Sequence, residues 1–184
     1  SRQIFSWLFA RNDVDLTVEC LQWGHTPWIL SSEKGGKIID DVISCSKEIK
    51  KGEYDYSFQV QLPDEWDTGL AKFNIGVTAA VETNKCNPEW VDCINKMDEV
   101  IVPSKFTRNV IKRSGYLTTN ITVIPEWYNI DIGNKSENSK ILNDNRFSKI
   151  NSEFNFLLIG TLTSQQPEDD RKNLVNTIKM LCEE

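Results

Sequence analysis

The sequence predicts an α/β fold in which parallel strands alternate with helices. Between residues 72 and 110, apolar runs at 73–81 and 99–102 are each followed by a helical pattern. Strands and helices that alternate over so short a stretch indicate parallel strands joined by right-handed crossovers. Ligands of such sheets bind beyond the carboxyl ends of the strands. The residues that follow the two runs are therefore candidate site residues: Glu82, Thr83 and Ser104.

Size and charge limit the classes of protein to which this chain can belong. With 184 residues, 39% of them hydrophobic and 26% charged, the chain can bury the core of one domain or slightly more. The net charge of −6 disfavours a nucleic-acid partner, because binding to a phosphate backbone needs a basic face. Basic residues recur between 105 and 113, and there we expect a solvated helix face.

The cysteines and the apolar runs indicate a cytoplasmic protein without a membrane span. The five cysteines are odd in number and lack CxxC spacing, and the chain contains only one histidine that could help them to bind a metal. Neither a disulfide framework nor a metal site is therefore expected. No apolar run approaches the roughly 18 residues of a transmembrane helix. The first residues lack the features of a signal peptide, and without an initiator Met we expect the chain to begin inside a longer protein.

The amino-terminal part of the chain predicts three elements. Residues 4–10 are apolar and aromatic, as at the end of a helix, and residues 15–23 alternate like a strand. The loop that follows contains His25, which is either a polar surface group or a group that faces a ligand. Residues 37–50 have the apolar spacing of an amphipathic helix, which Gly52 should end.

Two further strands are expected on either side of an acidic loop. Residues 56–62 alternate cleanly. Residues 64–67 follow, with carboxylates that could perform acid–base chemistry or could simply be solvated. Residues 73–81 are apolar almost throughout, as in a strand that is covered on both faces. The small Gly76 would allow a helix or a ligand to approach closely.

Capping residues predict where the next two helices begin. Asn87 is a suitable N-cap, with Pro88 at the first helical position. Ser104 can cap a helix from Lys105 whose positive end would suit an anion, although a capping role alone would also explain this serine. Gly115 should end that helix.

The remaining sequence predicts one more strand and the start of a second domain. Residues 121–124 should form a short strand, with Glu126 beyond its carboxyl end. Residues 154–159 resemble a strand and residues 174–181 a helix, but they are too few to form a sheet by themselves. The predicted organisation is a first domain at 1–130, a polar linker at 131–152 and the opening strand–helix unit of a second domain at 153–184.

Several segments together resemble a known family. No GxGxxG, P-loop, zincin or GxSxG motif is present. However, NIGVTAAVETN, VPSKF and ITVIPE, in this order, resemble the first domain of GT-B glycosyltransferases of the group 1 (GT4-like) type. FNFLLIG and DRKNL are similar to the start of their donor-binding second domain. The resemblance implies two Rossmann-like domains that face each other across a cleft, here truncated at both ends.

The resemblance implies transfer of a sugar, with retention, from a nucleotide-diphosphate sugar to a glycan or lipid-linked acceptor. Cationic side chains and helix amino termini would stabilise the departing diphosphate, so no cofactor and no metal are expected. Peripheral contact with a membrane is compatible with such an acceptor. The implied donor or phosphate contacts are Gly160, Arg171, Lys172 and Asn173. The implied acceptor-side or cleft residues are His25, Glu82, Thr83, Ser104 and Glu126.

The chain departs from the family pattern at three places. Thr161 stands where the family often has Arg, and residues 127–129 replace Gly-Val-Asp. The family's pair of catalytic glutamates would lie beyond Glu184, so the catalytic residues are unknown and this chain alone is expected to be inactive. A non-catalytic Rossmann-like binding module or scaffold is the alternative. A nucleotide-sugar dehydrogenase or epimerase would need a glycine-rich loop that is not visible here.

Overall fold

The computed structural model describes residues 2–21, 37–81, 83–128, 154–160, 166–170 and 172–183. The chain divides into two compact units, Ser1–Tyr128 and Asn129–Glu184. Three predicted site residues and the predicted linker lie outside the described residues: His25, Glu82, Arg171 and 131–152.

The first unit contains a four-stranded sheet with flanking helices. Its elements in chain order are α1 Arg2–Phe9, α2 Ile38–Cys45, β1 Tyr54–Val60, β2 Ala71–Val77, α3 Pro88–Ile94, β3 Glu99–Val102, α4 Lys105–Ser114 and β4 Ile121–Val123. The strand order is β1-β2-β3-β4, and every neighbouring pair is parallel. The predicted α/β architecture with a parallel sheet is therefore confirmed.

The core lies on one face of this sheet. Gly76, Val100 and Ile121 are neighbours in the strand register and therefore point to the same face. The most deeply buried side chains of α3, α4 and β3 belong to a single cluster on this face: Val91, Ile94, Val100, Val102, Val110 and Ile111. Both helices thus cover the same side, as right-handed crossovers between sequential strands require.

The opposite face of the sheet is apolar and partly exposed. Tyr56 pairs with Phe73 across β1 and β2, with ring centroids 5.7 Å apart. The exposed fractions of these residues are 66% and 36%. The prediction that residues 73–81 form a strand covered on both faces was therefore wrong in two respects: β2 is Ala71–Val77, and part of this face is open.

Polar side chains hold the connection between β1 and β2. Residues 61–70 cross between the strands with only a 3₁₀ turn at Pro63–Glu65. Asn74 Oδ1 accepts hydrogen bonds from Ser57 Oγ (2.8 Å) and from the backbone N–H of Ala71 (3.0 Å). Its Nδ2 donates to the carbonyl of Thr68 at 2.9 Å. Because this connection has no helical ladder, side chains of the sheet satisfy its backbone groups.

Gln59 and Trp66 fasten the same connection. The side chain of Gln59 accepts from the N–H of Asp67 at 2.7 Å and donates to its carbonyl at 2.8 Å. The indole Nε1 of Trp66 donates to the Gln59 carbonyl at 3.0 Å. A Cβ at Gly76 would lie 2.6 Å from the Trp66 ring, so the close approach predicted for this glycine is made by an indole of the chain itself.

Two elements near the amino terminus differ from the prediction. Residues 15–21 do not form a strand, and only Val18 makes an isolated bridge, with Ser46. A single bridge provides no ladder, so the alternation of this segment is insufficient for a strand. The helix α2 ends at Cys45, not at residue 50, because Ser46 adopts an extended conformation and pairs with Val18.

The helix α4 ends at the predicted place but by a different geometry. Gly115 follows its last residue with φ −173°, which is extended backbone and not the left-handed conformation of a glycine cap. A Cβ there would lie 3.0 Å from the Cβ of Val91. A larger residue at this position would press against α3, and Val91 would have to shift by a few tenths of an ångström.

The second unit contains a 3₁₀ turn at Pro167–Asp169 and a helix, α5, at Leu174–Glu183. The predicted helix is confirmed. Residues 154–160 form no strand, contrary to the prediction for 154–159. Leu157 and Ile159 are 85% and 83% exposed. A strand needs a neighbour for its ladder, and the described residues of this unit provide none.

Among the helices described, α1 to α5, none has the length and apolar character needed to cross a membrane.

Candidate functional site

The predicted site residues of the first unit follow the carboxyl ends of three adjacent parallel strands. Thr83 comes after β2, Ser104 after β3 and Glu126 after β4. Parallel strands end at a common edge, so Ser104 and Glu126, which closely follow β3 and β4, belong to the same edge of the sheet. Thr83 lies farther from the end of β2, and shortly after it the N–H of Cys86 donates to Oγ of Ser114, the last residue of α4, at 3.0 Å. The chain after Thr83 therefore runs toward the end of α4 that is opposite Ser104. Thr83 and Glu126 are exposed, while Ser104 is half-buried. Within the described residues, no hydrogen bond or ion pair joins any two of the three.

Ser104 is the N-cap of α4. Its hydroxyl oxygen accepts from the N–H of Thr107 at 3.0 Å and lies 3.0 Å from Thr107 Oγ1. Its carbonyl accepts from the N–H of Arg108 at 3.1 Å. The backbone N–H groups of Lys105 and Phe106 precede the first intrahelical bond, so the positive end of the helix dipole faces this edge of the sheet.

Arg108 is a basic residue whose surroundings the sequence did not reveal. It lies one turn into α4, and the pattern of basic residues predicted a solvated helix face. Its Nε atom is instead buried without a hydrogen-bond partner, the only such side-chain atom found in the described part of the chain. Spacing could have indicated that residues 104 and 108 share a helix face, but no sequence signal indicated burial.

The loop after β2 has an unusual backbone conformation. Ala80 has φ 52°, in the left-handed region that L-residues rarely adopt. Its N–H donates to Thr78 Oγ1 at 3.1 Å, and the side chain of Ala80 packs against the core cluster. Farther along, Thr83 Oγ1 donates to the carbonyl of Lys85 at 2.8 Å. The hydrogen bond between Ala80 and Thr78 thus lies directly after β2, which ends at Val77.

In the acidic loop at residues 64–67, the carboxylates of Glu65 and Asp67 make structural contacts. Glu65 accepts from the N–H of Leu62 at 3.0 Å. Asp67 forms an ion pair with Lys51 and accepts from the N–H of Gly69. The hydrogen bond from Lys51 and that from Gly69 lower the pKa of Asp67. Asp67 is therefore ionised at neutral pH and is a poor general acid.

In the second unit, Gly160 lies close to the side chain of Leu174. A Cβ at this position would lie 2.8 Å from Leu174 Cδ1, and Leu174 is the buried first residue of α5. Close approach by this glycine was predicted, toward a donor phosphate. The contact that the structure contains is with a side chain of the same unit.

Asp170 caps the beginning of α5. It is only 5% exposed. Its carboxylate accepts from the N–H groups of Leu174 (2.6 Å), Val175 (3.2 Å) and Lys172 (3.2 Å). Sequence reasoning did not identify this role, although an Asp just before a helix is a common capping residue. Since the first amides of α5 already bind a carboxylate, a phosphate near this end would have to be bound by side chains.

Lys172 and Asn173 lie in the turn that Asp170 organises. Both are exposed. Asn173 has φ 53°, a conformation that Asn tolerates better than most residues, and its Oδ1 accepts from Asn176 Nδ2 at 2.8 Å. Asn173 thus contributes to the start of the helix, whether or not it also contacts a ligand.

In the described parts of both units, no group of three or more His, Cys, Asp or Glu side chains is arranged to hold a metal ion. The five cysteines are free thiols, and Cys45 and Cys86 are buried.

Comparison with known proteins does not assign this chain to a family: no family model, no curated protein and no solved structure matches it.

Proposed function

We propose that this chain is part of a GT-B glycosyltransferase of the group 1 type, which transfers a hexose-type sugar from a nucleotide-diphosphate sugar to a glycan or lipid-linked acceptor. The proposal rests on the resemblance of the ordered segments VPSKF, ITVIPE and DRKNL to that family. Retention at the anomeric carbon belongs to the same proposal. So does a cytoplasmic location, which the five free thiols support.

The position of VPSKF in the fold is the observation that best supports this function. The segment covers the junction of β3 and α4, and its Ser104 caps the helix. ITVIPE covers β4 and its carboxyl end. Both segments therefore reach the edge of the sheet where parallel α/β proteins bind their ligands.

The chemistry of this edge suits recognition of an acceptor. It combines the positive end of the α4 dipole and the exposed Glu126, and the guanidinium of Arg108 belongs to the first turn of the same helix. Hydroxyl groups of a sugar can donate to a carboxylate, and an anionic group of an acceptor would be stabilised by the helix terminus and the guanidinium. We assign these groups to binding and positioning.

For the donor we propose Lys172, with Arg171 and Asn173 beside it. Lys172 is exposed just before α5, and the first backbone N–H groups of that helix donate to the carboxylate of Asp170. The diphosphate would then be bound by charged side chains near the helix, in place of its amides. A hydrogen bond from a charged group contributes about 1.5–3 kcal/mol.

Calorimetric titration with UDP- and GDP-sugars tests the proposal. The protein used should contain this chain together with whatever coding sequence continues past Glu184. We expect binding, and we expect Lys172→Ala to weaken it by roughly 10- to 100-fold, because 1.4 kcal/mol corresponds to a factor of ten. Lys179→Ala, which removes an exposed charge farther along α5, is the matched control and should leave the affinity unchanged.

One outcome would overturn the whole assignment, and a second would overturn only the role of Lys172. Absence of binding to every nucleotide sugar would favour the alternative, a non-catalytic Rossmann-like module that acts as a scaffold. Equal affinities for the Lys172→Ala and the unmodified protein would retain nucleotide-sugar binding but remove the phosphate contact from this residue.

A further inference from the structure

We draw no further inference here: the strongest candidate, the apolar face of the four-stranded sheet around Tyr56 and Phe73 on the side opposite α3 and α4, carries nothing because the structure does not show what covers it.

Discussion

Asn74 organises the connection between β1 and β2. Its side chain is bonded to side chains and backbone groups on both sides of the crossover, and the residue is only 3% exposed. Buried polar groups are costly unless each is paired. The sheet face below residues 61–70 is therefore polar, and its polar groups replace the apolar contacts of an ordinary crossover helix.

Replacing Asn74 with Ala should destabilise the first unit strongly. The substitution leaves the Ser57 hydroxyl and the Ala71 N–H without the acceptor they now share. We expect a loss of about 2–4 kcal/mol in the free energy of unfolding, since several buried groups lose partners at once. Urea unfolding followed by tryptophan fluorescence measures this loss.

The control for this experiment is Asn109→Ala, at an exposed position of α4. We expect it to raise the free energy of unfolding slightly, by about 0.5 kcal/mol, because Ala is a better helix former than Asn. Equal stabilities of the two variants would show that the polar network contributes little.

Gly76 makes room for Trp66. We expect Gly76→Ala to cost about 1–3 kcal/mol, because the added methyl would lie 2.6 Å from the indole ring. Gly69→Ala is the control, since its Cβ would be 3.4 Å from the nearest atom, Asp67 Oδ1. Thermal unfolding of both variants compares them, and a Gly76→Ala protein as stable as the control would mean that the ring moves at little cost.

At the scale of elements, helix ends were predictable where a single side chain makes the cap. Asn87 accepts from the N–H of Glu89 at 3.1 Å, and Pro88 opens α3 as expected. Ser104 likewise caps α4. Such contacts lie within a few residues along the chain, so the sequence contains the partners. The cap of α5 differs, because Asp170 bonds the N–H of residues four and five positions later.

Ser104→Ala should destabilise α4. Loss of the bond to the Thr107 N–H is expected to lower the free energy of unfolding by about 1 kcal/mol. Ser104→Asp should retain most of that stability, because a carboxylate also caps and interacts favourably with the helix dipole. Guanidinium unfolding of the three proteins distinguishes capping from a purely ligand-binding role: under the latter, Ser104→Ala would be as stable as the unmodified protein.

At the scale of the whole molecule, charge pairs between segments make stability depend on pH. Lys51, in the turn before β1, pairs with Asp67 in the β1–β2 connection and lowers its pKa in the folded state. A carboxyl group with a lowered folded pKa stabilises the protein above its unfolded pKa of about 3.9. That contribution is lost as the pH falls through the folded value.

Asp67→Asn should therefore flatten the acid limb of the stability profile. We expect the variant to lose less free energy of unfolding than the unmodified protein as the pH falls below about 4, because the titrating group is gone. Urea unfolding at a series of pH values measures the slope. Asp64→Asn is the control, because it removes an exposed carboxylate that has no ion pair to any described residue, and it should leave the slope nearly unchanged. The same change of slope in both variants would contradict the role of the Lys51–Asp67 pair.

Prediction from sequence worked best for the strands of the sheet. The alternation of residues 56–62 and the apolar run at 99–102 placed β1 within two residues and β3 without error. It was poorest where the same pattern had no partner. Residues 15–21 and 154–159 have the composition of strands, yet the first makes one bridge and the second none. A strand exists only as part of a ladder, and composition does not reveal the neighbour.

For the candidate site, local signals led to Ser104 but not to Arg108 or Asp170. A serine before a helix can be recognised from its neighbours alone. The buried Nε of Arg108 depends on side chains that pack over it, and the role of Asp170 depends on how the turn before α5 folds back. The assignment of Lys172 to the donor is a prediction that the binding experiment tests, and the assignment of Thr83, Glu126 and the other predicted contacts stays a prediction.

Local patterns along the chain are sufficient to predict the α/β class, the order of strands and helices from residue 54 to residue 123, and two helix caps, because periodicity and capping act over a few residues. Three features became visible in the folded protein alone: Trp66 occupies the space at Gly76, Gln59 and Asn74 hold the crossover, and one face of the sheet is partly open. These features arise from contacts between segments that are distant along the chain, and such contacts depend on three-dimensional packing that local patterns do not encode.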